Sequence, residues 1–301
     1  MSIAVLGGYG VGITMQLARM PHAGETVSGG VLTREHGGKG SNQAIAIARW
    51  GSRPTLITAI GDDADGRAAR ELWSREGVDD AAVITVDDAT MAGVILVDGE
   101  GENRIAIAAG ALDALWGARV EPLAATALEG ASALVISLEV PHDAAMRCCD
   151  AARRAGIPVI LNPAPATDVP RELWTTADIL VPNQTEARSL LGLEAVDLDD
   201  LAIAVALAEH CSGDIILTCG AEGAIVVDNG SVSRITSPSA VVVDTTGAGD
   251  TFVGVFAAEY SAGAELNDAV TIACRAAAFS VEHRGVIAGI PRRDELAGAA
   301  A

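Results

Sequence analysis

The chain has 301 residues, 50% hydrophobic and with 33 glycines, enough for one large domain or two unequal ones with a substantial core, and too apolar for disorder. Forty Asp plus Glu against 20 Lys plus Arg give a formal net charge of -20, which repels nucleic acid and acidic membranes. The opening MSIAVLGGYG lacks the basic flank of a signal peptide and no apolar run reaches the roughly 18 residues of a membrane span, while Cys148, Cys149, Cys211, Cys219 and Cys274 show no metal spacing and read as reduced thiols, so a cytoplasmic protein is expected.

In chain order, residues 2–6 form an apolar run closed by Gly7 and Gly8, the pattern of a buried strand and a bend. Residues 26–35 are polar and β-prone, with Gly29 and Gly30 inside, which suits a small exposed sheet outside the main core. The stretch 41–50 is helical through Ala44, Ile45, Ala46, Ile47 and Ala48 and stops at Gly51. A strand over 54–60, a helix over 66–76 and a strand over 83–86 follow. Residues 92–97 and 104–108 flank a turn-rich Asp98-Gly99-Glu100-Gly101-Glu102-Asn103 and predict a β-hairpin. That hairpin and 26–35 are expected to meet as a lid, although they lie apart in sequence. Beyond residue 120, strands are expected at 133–138, 158–162, 179–181, 214–219 and 224–227, and helices at 142–155, 198–210, 251–261 and 269–281. Such alternation predicts an α/β domain.

Two acids bracket a nearly side-chain-free bend in DTTGAGD, residues 244–250. Placed before a helix at Thr251, Gly247, Ala248 and Gly249 can aim backbone N–H groups at one point, and the helix dipole adds to their attraction for phosphate oxygens. Asp250 beside them can take a proton from an alcohol while those donors stabilise a phosphoryl group in transfer. The same residues also read as a turn with Asp250 as a helix N-cap. Gly37-Gly38-Lys39-Gly40-Ser41-Asn42 opens another helix without Walker A spacing; its N–H groups and Asn42 can grip a polyhydroxylated ligand or simply start the helix. Asn183 and Glu186 can present oxygens to a hydrated Mg²⁺ or form a capping box, and the two are compatible. Thr218, Gly220 and Gly223 leave room for a base or ribose, or make a plain turn. Glu139 ends the 133–138 strand, and open α/β sheets collect ligands at the carboxyl ends of their strands.

Taken in order, GGKGSNQA at 37–44, LNPAPA at 161–166, PNQTEA at 182–187 and DTTGAGDTF at 244–252 resemble the motifs of the ribokinase-like sugar kinase family, a likeness that runs from Ser2 to about Glu295. The resemblance implies a single three-layer α/β/α domain over 1–301, with a small β-sheet lid from about 9–37 and 90–112 and an ATP-binding half over about 180–295. It implies transfer of the γ-phosphoryl of ATP to a sugar hydroxymethyl group, with Asp250 as general base and Gly247, Ala248 and Gly249 as the anion hole. Gly38, Lys39, Asn42 and Glu139 are then expected to position the sugar, and Asn183, Thr218, Gly220, Gly223 and Gly249 to border the nucleotide. Asn183 and Glu186 are expected to orient Mg²⁺ through water. A monovalent cation, K⁺, is expected beside the anion hole, with Asp244 and Thr246 on one side and Val281, Arg284, Gly285 and Gly289 on the other, largely through backbone carbonyls. Pairing of uncovered lid strands predicts a homodimer through the lid.

Two positions depart from the family pattern. Gly12 stands where close relatives usually have an Asp that hydrogen-bonds sugar hydroxyls, and Leu112 where a G-A-N sequence usually ends in Asn. The acceptor pocket is therefore expected to be roomier and more apolar near the lid, with Tyr9 or Met91 offering apolar contact. Its acceptor is expected to be a sugar, a modified sugar, a polyol or a nucleoside. A nucleoside kinase of the same family and a non-catalytic sugar- or nucleotide-binding regulatory protein are the alternatives.

Overall fold

The computed structural model describes residues 1–192 and 197–298; residues 193–196 and 299–301, part of the domain expected over 1–301, lie outside the described residues. In chain order the strands are β1 (Ser2–Leu6), β2 (Gly10–Gln16), β3 (Val31–Gly37), β4 (Arg53–Gly61), β5 (Val83–Val86), β6 (Ala92–Val97), β7 (Asn103–Ala108), β8 (Ala131–Ser137), β9 (Val159–Asn162), β10 (Ile179–Leu180), β11 (Asp214–Thr218), β12 (Ala224–Asp228) and β13 (Ser231–Ile235). The main helices are α1 (Lys39–Arg49), α2 (Ala64–Glu76), α3 (Val120–Leu128), α4 (His142–Ala155), α5 (Arg171–Thr175), α6 (Gln184–Leu191), α7 (Asp200–His210), α8 (Ala248–Ser261) and α9 (Leu266–Ser280), followed by the short α10 (Val286–Gly289) and α11 (Arg293–Gly298).

A nine-stranded sheet runs in the order β13-β12-β11-β10-β9-β8-β1-β4-β5. From β5 to β11 its pairs are parallel, and β12 and β13 add an antiparallel edge. Successive side chains of a strand point to opposite faces, and both faces here are covered. Ala4 and Leu6 of β1, Leu134 and Ile136 of β8, and Ile215 and Leu217 of β11 pack into one core with α3, α4, α6 and α7. Their neighbours Ile3, Val5, Ala133, Val135 and Ile216 pack into the other with α1, α2, α8 and α9. The result is the expected three-layer α/β/α arrangement. A separate four-stranded sheet, β3-β2-β6-β7, supplies the lid.

Several element boundaries differ from the sequence expectation. The strand expected over 26–35 begins only at Val31, just after Gly29, whose φ of 87° lies outside the extended region. β2 was not anticipated, since its Gly10 and Gly12 weaken a strand pattern that becomes legible only once β3 and β6 pair on either side of it. The helices expected at 41 and 251 start earlier, at Lys39 and Ala248. In each case a glycine with positive φ, Gly38 at 92° or Gly247 at 80°, takes the N-cap and lets the chain enter the helix abruptly. Asp250 is consequently inside the first turn of α8, so the reading of Asp250 as an N-cap does not hold. α3 and the exposed edge strand β13 are further elements that local pattern did not single out.

Candidate active site

The parallel strands end on one edge of the sheet, and that edge is where the predicted residues gather. β1 runs into Gly7 and Gly8, β8 leads to Glu139, β9 ends in Asn162, and β10 leads to Asn183. Glycine lets α1 start directly on the end of β1. A Cβ on Gly40 would lie 2.5 Å from the Gly7 backbone, and one on Gly38 would lie 2.5 Å from the Tyr9 Cα. Further along, a Cβ on Gly254 of α8 would lie 2.5 Å from the Ala46 Cβ of α1, so these two helices cross at backbone distance. That crossing brings residues more than two hundred positions apart into one polar cluster.

Asp250 is its centre. Asn42 Nδ2 donates to Asp250 Oδ2 at 2.8 Å, and Gln43 Nε2 donates to Oδ1 at 3.2 Å. The same Gln43 amide donates to Asn162 Oδ1 at 3.1 Å, and Asn162 Nδ2 donates to the Val181 carbonyl at 2.9 Å. One amide on each oxygen fixes the plane of the carboxylate and leaves lone pairs to receive a proton. Gln43 was not among the predicted residues. Its signal in sequence was a polar side chain at a fully buried position of an apolar helix, visible only once the buried face of α1 is known.

The electrostatics tie the cluster together. Burial pushes the Asp250 carboxyl above its ordinary value, with Lys39, Asn42 and Gln43 pulling the other way. Burial also raises Glu139 and Glu186, each opposed by the Lys39 charge. For Lys39 burial acts to lower the ammonium, yet the fields of Asp250, Glu139 and Glu186 outweigh it and hold the group above the usual lysine value. A single cation thus sits in the field of three acids. The Lys39 backbone N–H, at the start of α1, donates to Glu139 Oε2 at 2.6 Å, which fixes Glu139 on the floor of the cleft.

The loop before α8 is anchored from behind. Asp244 Oδ1 accepts from the Thr246 backbone N–H at 3.0 Å and from its hydroxyl at 2.7 Å, and Oδ2 accepts from the Gly285 N–H at 3.0 Å. Desolvation works against the Asp244 charge, but these donors and Arg284 hold its carboxyl below the ordinary value. The Val281 carbonyl accepts from Val243 and Asp244 at 2.7 and 3.1 Å, and the Gly285 carbonyl from Gly289 at 3.0 Å. Asp244, Thr246, Val281, Arg284, Gly285 and Gly289 therefore form one folded loop pair, in which the Asp244 carboxylate, the Thr246 hydroxyl and the Gly285 carbonyl are the oxygens that could hold a monovalent cation, while Gly289 enters through its N–H, Arg284 through its charge, and the Val281 carbonyl, with two N–H groups on it, by holding the chain before Asp244. A Cβ on Gly247 would lie 2.5 Å from Val286 Cγ1, whereas one on Gly249 would meet nothing within 4 Å. Gly247 is small to fit the loop behind it, and Gly249 leaves the helix start open to approach.

Asn183 and Glu186 form the capping box. Asn183 Oδ1 accepts the Glu186 N–H at 2.8 Å, and Glu186 Oε2 accepts the Asn183 N–H at 2.9 Å. Lone pairs remain on the Glu186 carboxylate, in the field of Lys39 and Asp250, so the donor set suits a hydrated Mg²⁺ held through water. Asn183 also bridges to Thr218, whose N–H donates to the Pro182 carbonyl at 2.9 Å. Next to it, Gly220–Glu222 make one turn of 3-10 helix, and Gly223 at φ 95° passes so close to β13 that a Cβ would lie 2.0 Å from the Ile235 carbonyl oxygen. The predicted nucleotide side is thus continuous with the anion loop side through Asn183 and Glu186.

Around the acceptor side, Leu112 is buried, and its Cδ1 lies 3.2 Å from the place a Cβ on Gly8 would occupy, with Glu139 Oε2 at 3.0 Å from the same point. An apolar side chain therefore stands beside Glu139. Met91 wraps over Gly10. Tyr9 does not line the pocket as expected: it is fully buried, edge-on to Trp73, with its hydroxyl 2.8 Å from His36 Nδ1. With Trp73 and His36 around it at the base of the lid, Tyr9 offers no apolar contact to the pocket.

The chain is similar to known proteins over nearly its whole length. Residues 10–293 match the profile of the pfkB family carbohydrate kinases. The chain belongs to that family. Among its relatives, a ribokinase of Haemophilus influenzae is 33% identical over 297 residues, covering 98% of this chain and 96% of the relative. A deoxyribokinase of Salmonella typhi is 33% identical over 303 residues, covering 98% and 97%. The solved structure of Arabidopsis thaliana ribokinase complexed with ribose and ATP superposes with a TM-score of 0.90 at 28% identity, covering 99% of this chain and 97% of that one. This pfkB carbohydrate kinase is an ATP-dependent phosphotransferase acting on a sugar or sugar-like alcohol.

Proposed function

We propose that the chain moves the γ-phosphoryl of ATP onto a hydroxymethyl group with Asp250 as the general base. The observation that carries this reading is the Asp250 carboxylate, buried at the start of α8, oriented by Asn42 and Gln43 and adjacent to Gly247, Ala248 and Gly249. In this reading the acceptor lies against Gly38, Lys39, Asn42 and Glu139, and its hydroxyl passes its proton to Asp250. The N–H groups opening α8 receive the charge on the transferred phosphoryl oxygens, that of Ala248 by leaving the Thr245 carbonyl, to which it donates at 3.3 Å in this structure. Thr218, Gly220 and Gly223 border the nucleotide. Asn183 and Glu186 hold water around Mg²⁺, which supplies charge neutralisation on the phosphates. The Asp244 loop pair holds K⁺, which keeps the anion loop in place.

The ribokinase and deoxyribokinase relatives support a pentose-like acceptor, while Gly12 and Leu112 favour one with a less polar or larger part toward the lid, a nucleoside included. Exposed Val31, Leu32, Val94, Ile105 and Ile107 on the lid sheet support a homodimer closed through that sheet, a state that light scattering at twice the chain mass would bear out and at the chain mass would refute. Five free cysteines support a reducing, cytoplasmic setting, and burial pushes the adjacent Cys148 and Cys149 thiols up to about 12, leaving them unreactive. No described helix is long and apolar enough to cross a membrane. The deciding experiment is an ATP-consumption screen over sugars, polyols and nucleosides with the product identified by mass spectrometry. ATP-dependent mass gain on one acceptor class is expected; ligand binding without ADP release across the panel would leave a binding protein.

A further inference from the structure

The lid has two faces with different contents. Alternation along β2 puts Tyr9, Val11 and Ile13 on one face, where Tyr9 and Val11 are buried against the core, and Gly10 and Gly12 on the other. β3 obeys the same alternation: Arg34 pairs with Asp65, and His36 meets the Tyr9 hydroxyl, both on the packed face. Glu35 therefore stands on the opposite face, directly across from its register partner Gly12. The other register partner of Gly12, Gly93 on β6, adds no side chain either.

On this face Gly12 and Gly93 carry no side chain beside Glu35, and the positions further across the sheet are Ile95, Ile105 and Ile107. A Cβ on Gly12 would find only Ile95 Cδ1 at 3.7 Å and the Glu35 carbonyl oxygen at 4.0 Å. Glu35 Oε2 lies 3.9 Å from where a Cβ on Gly285 would sit. Gly285 donates to Asp244, and the next residue, Val286, packs behind Gly247, so the tip of Glu35 reaches the loop that backs the anion hole. β3 then leads through Gly37 and Gly38 directly into Lys39 and Asn42 of the acceptor side. Among the described residues the Glu35 side chain has no hydrogen bond and no ion pair, in contrast to those of Arg34 and His36 on either side.

We propose that Glu35 is a specificity-determining residue whose carboxylate accepts a hydrogen bond from an acceptor hydroxyl remote from the one phosphorylated, reaching it across the space that Gly12 and Gly93 leave free. A carboxylate is an acceptor only, so its partner must donate. Lys39 already holds the cationic place among the acids of the cleft, which makes that donor a neutral hydroxyl of a polyhydroxylated acceptor. The assignment rests on the kinase reading above.

The experiment takes the acceptor found in the screen, with its deoxy analogues lacking one hydroxyl at a time, and measures kcat and KM for the wild type, Glu35→Ala and Glu35→Gln. Glu35→Ala is expected to lose about ten- to hundredfold in kcat/KM on the parent acceptor, chiefly through KM, and to lose discrimination against one deoxy analogue only. Glu35→Gln, which keeps an acceptor oxygen, falls between, and KM for ATP is unchanged in both. If the wild type phosphorylates an acceptor but Glu35→Ala discriminates among the analogues as before, the assignment is wrong and the kinase reading stands. A uniform loss on every analogue, accompanied by a changed dependence on monovalent cation, also overturns it, making Glu35 a strut between lid and loop. A wild type that transfers phosphate to nothing in the panel removes the kinase reading and this assignment together.

Discussion

At the floor of the cleft, α1 sits on the end of β1 through Gly38 and Gly40 and against α8 through Gly254, at distances that admit no added methyl group, and Asp250 has an amide on each oxygen. In the lid above it, Ile105 and Ile107 are 59% and 68% exposed, and a side chain at Gly12 would meet only ordinary contacts. The floor is over-determined by packing, and the lid is not. Phosphoryl transfer needs reacting groups held to fractions of an ångström, whereas selecting an acceptor needs a surface that can change without unfolding the protein.

The comparison breaks most visibly at Asp250. Replacing Asp250→Asn is expected to lower kcat by about 10²- to 10⁴-fold, the usual contribution of a positioned general base. Stability is expected to be kept. Burial holds the folded Asp250 pKa above its unfolded value, so its protonated form favours folding at low pH and that contribution is lost as pH rises through the folded pKa. A neutral amide at neutral pH therefore removes a charge that folding disfavours. Steady-state kinetics beside thermal melting separates the two, and a variant that turns over near the parent rate would remove Asp250 as the base.

How much of this was legible in sequence divides along the same line. The floor was readable because its chemistry is concentrated in short runs: Lys39 and Asn42 within one helix start, Asn183 and Glu186 within one capping box, Asp244 to Asp250 within one loop. What local pattern could not supply was the crossing of α1 over α8, so Gln43, whose role exists only through Asp250 and Asn162, passed as a helix residue. In the lid the information is spread over strands that define each other. β2 has a face only when β3 and β6 flank it, and Tyr9 could be assigned to the core and not the pocket only once His36 and Trp73 were placed around it.

A smaller effect is expected at Lys39, where the floor can be perturbed by charge alone. Lys39 lowers the pKa of Asp250, Glu139 and Glu186 against the rise that burial imposes. Without it burial acts with less opposition, and all three groups move up. In Lys39→Met the acid limb of the kcat/KM profile, set by protonation of the base, is therefore expected to shift to higher pH, whatever happens to the plateau. Lys39→Arg, which keeps the charge, should leave the limb near its parent position. A limb that stays fixed in Lys39→Met would mean that the cation is screened from Asp250 and serves the acceptor alone.

The smallest effect is expected in the lid, at Gly12. Its φ is not in the left-handed region, and a Cβ there meets ordinary contacts, so Gly12→Asp should enter β2 without backbone strain. What it does create is a second carboxylate directly across the strand pair from Glu35, and like charges at register positions repel. The expected cost is below about 1 kcal/mol at neutral pH and smaller at high salt, because both groups face solvent. Glu35→Gln should remove most of that cost, so a double-mutant cycle read by denaturant melts gives a coupling between the two positions that disappears in the neutral background. A loss of several kcal/mol in Gly12→Asp, unchanged by Glu35→Gln, would mean that the open face is packed after all, and the contrast between a rigid floor and a permissive lid would fail at the position where it is easiest to measure.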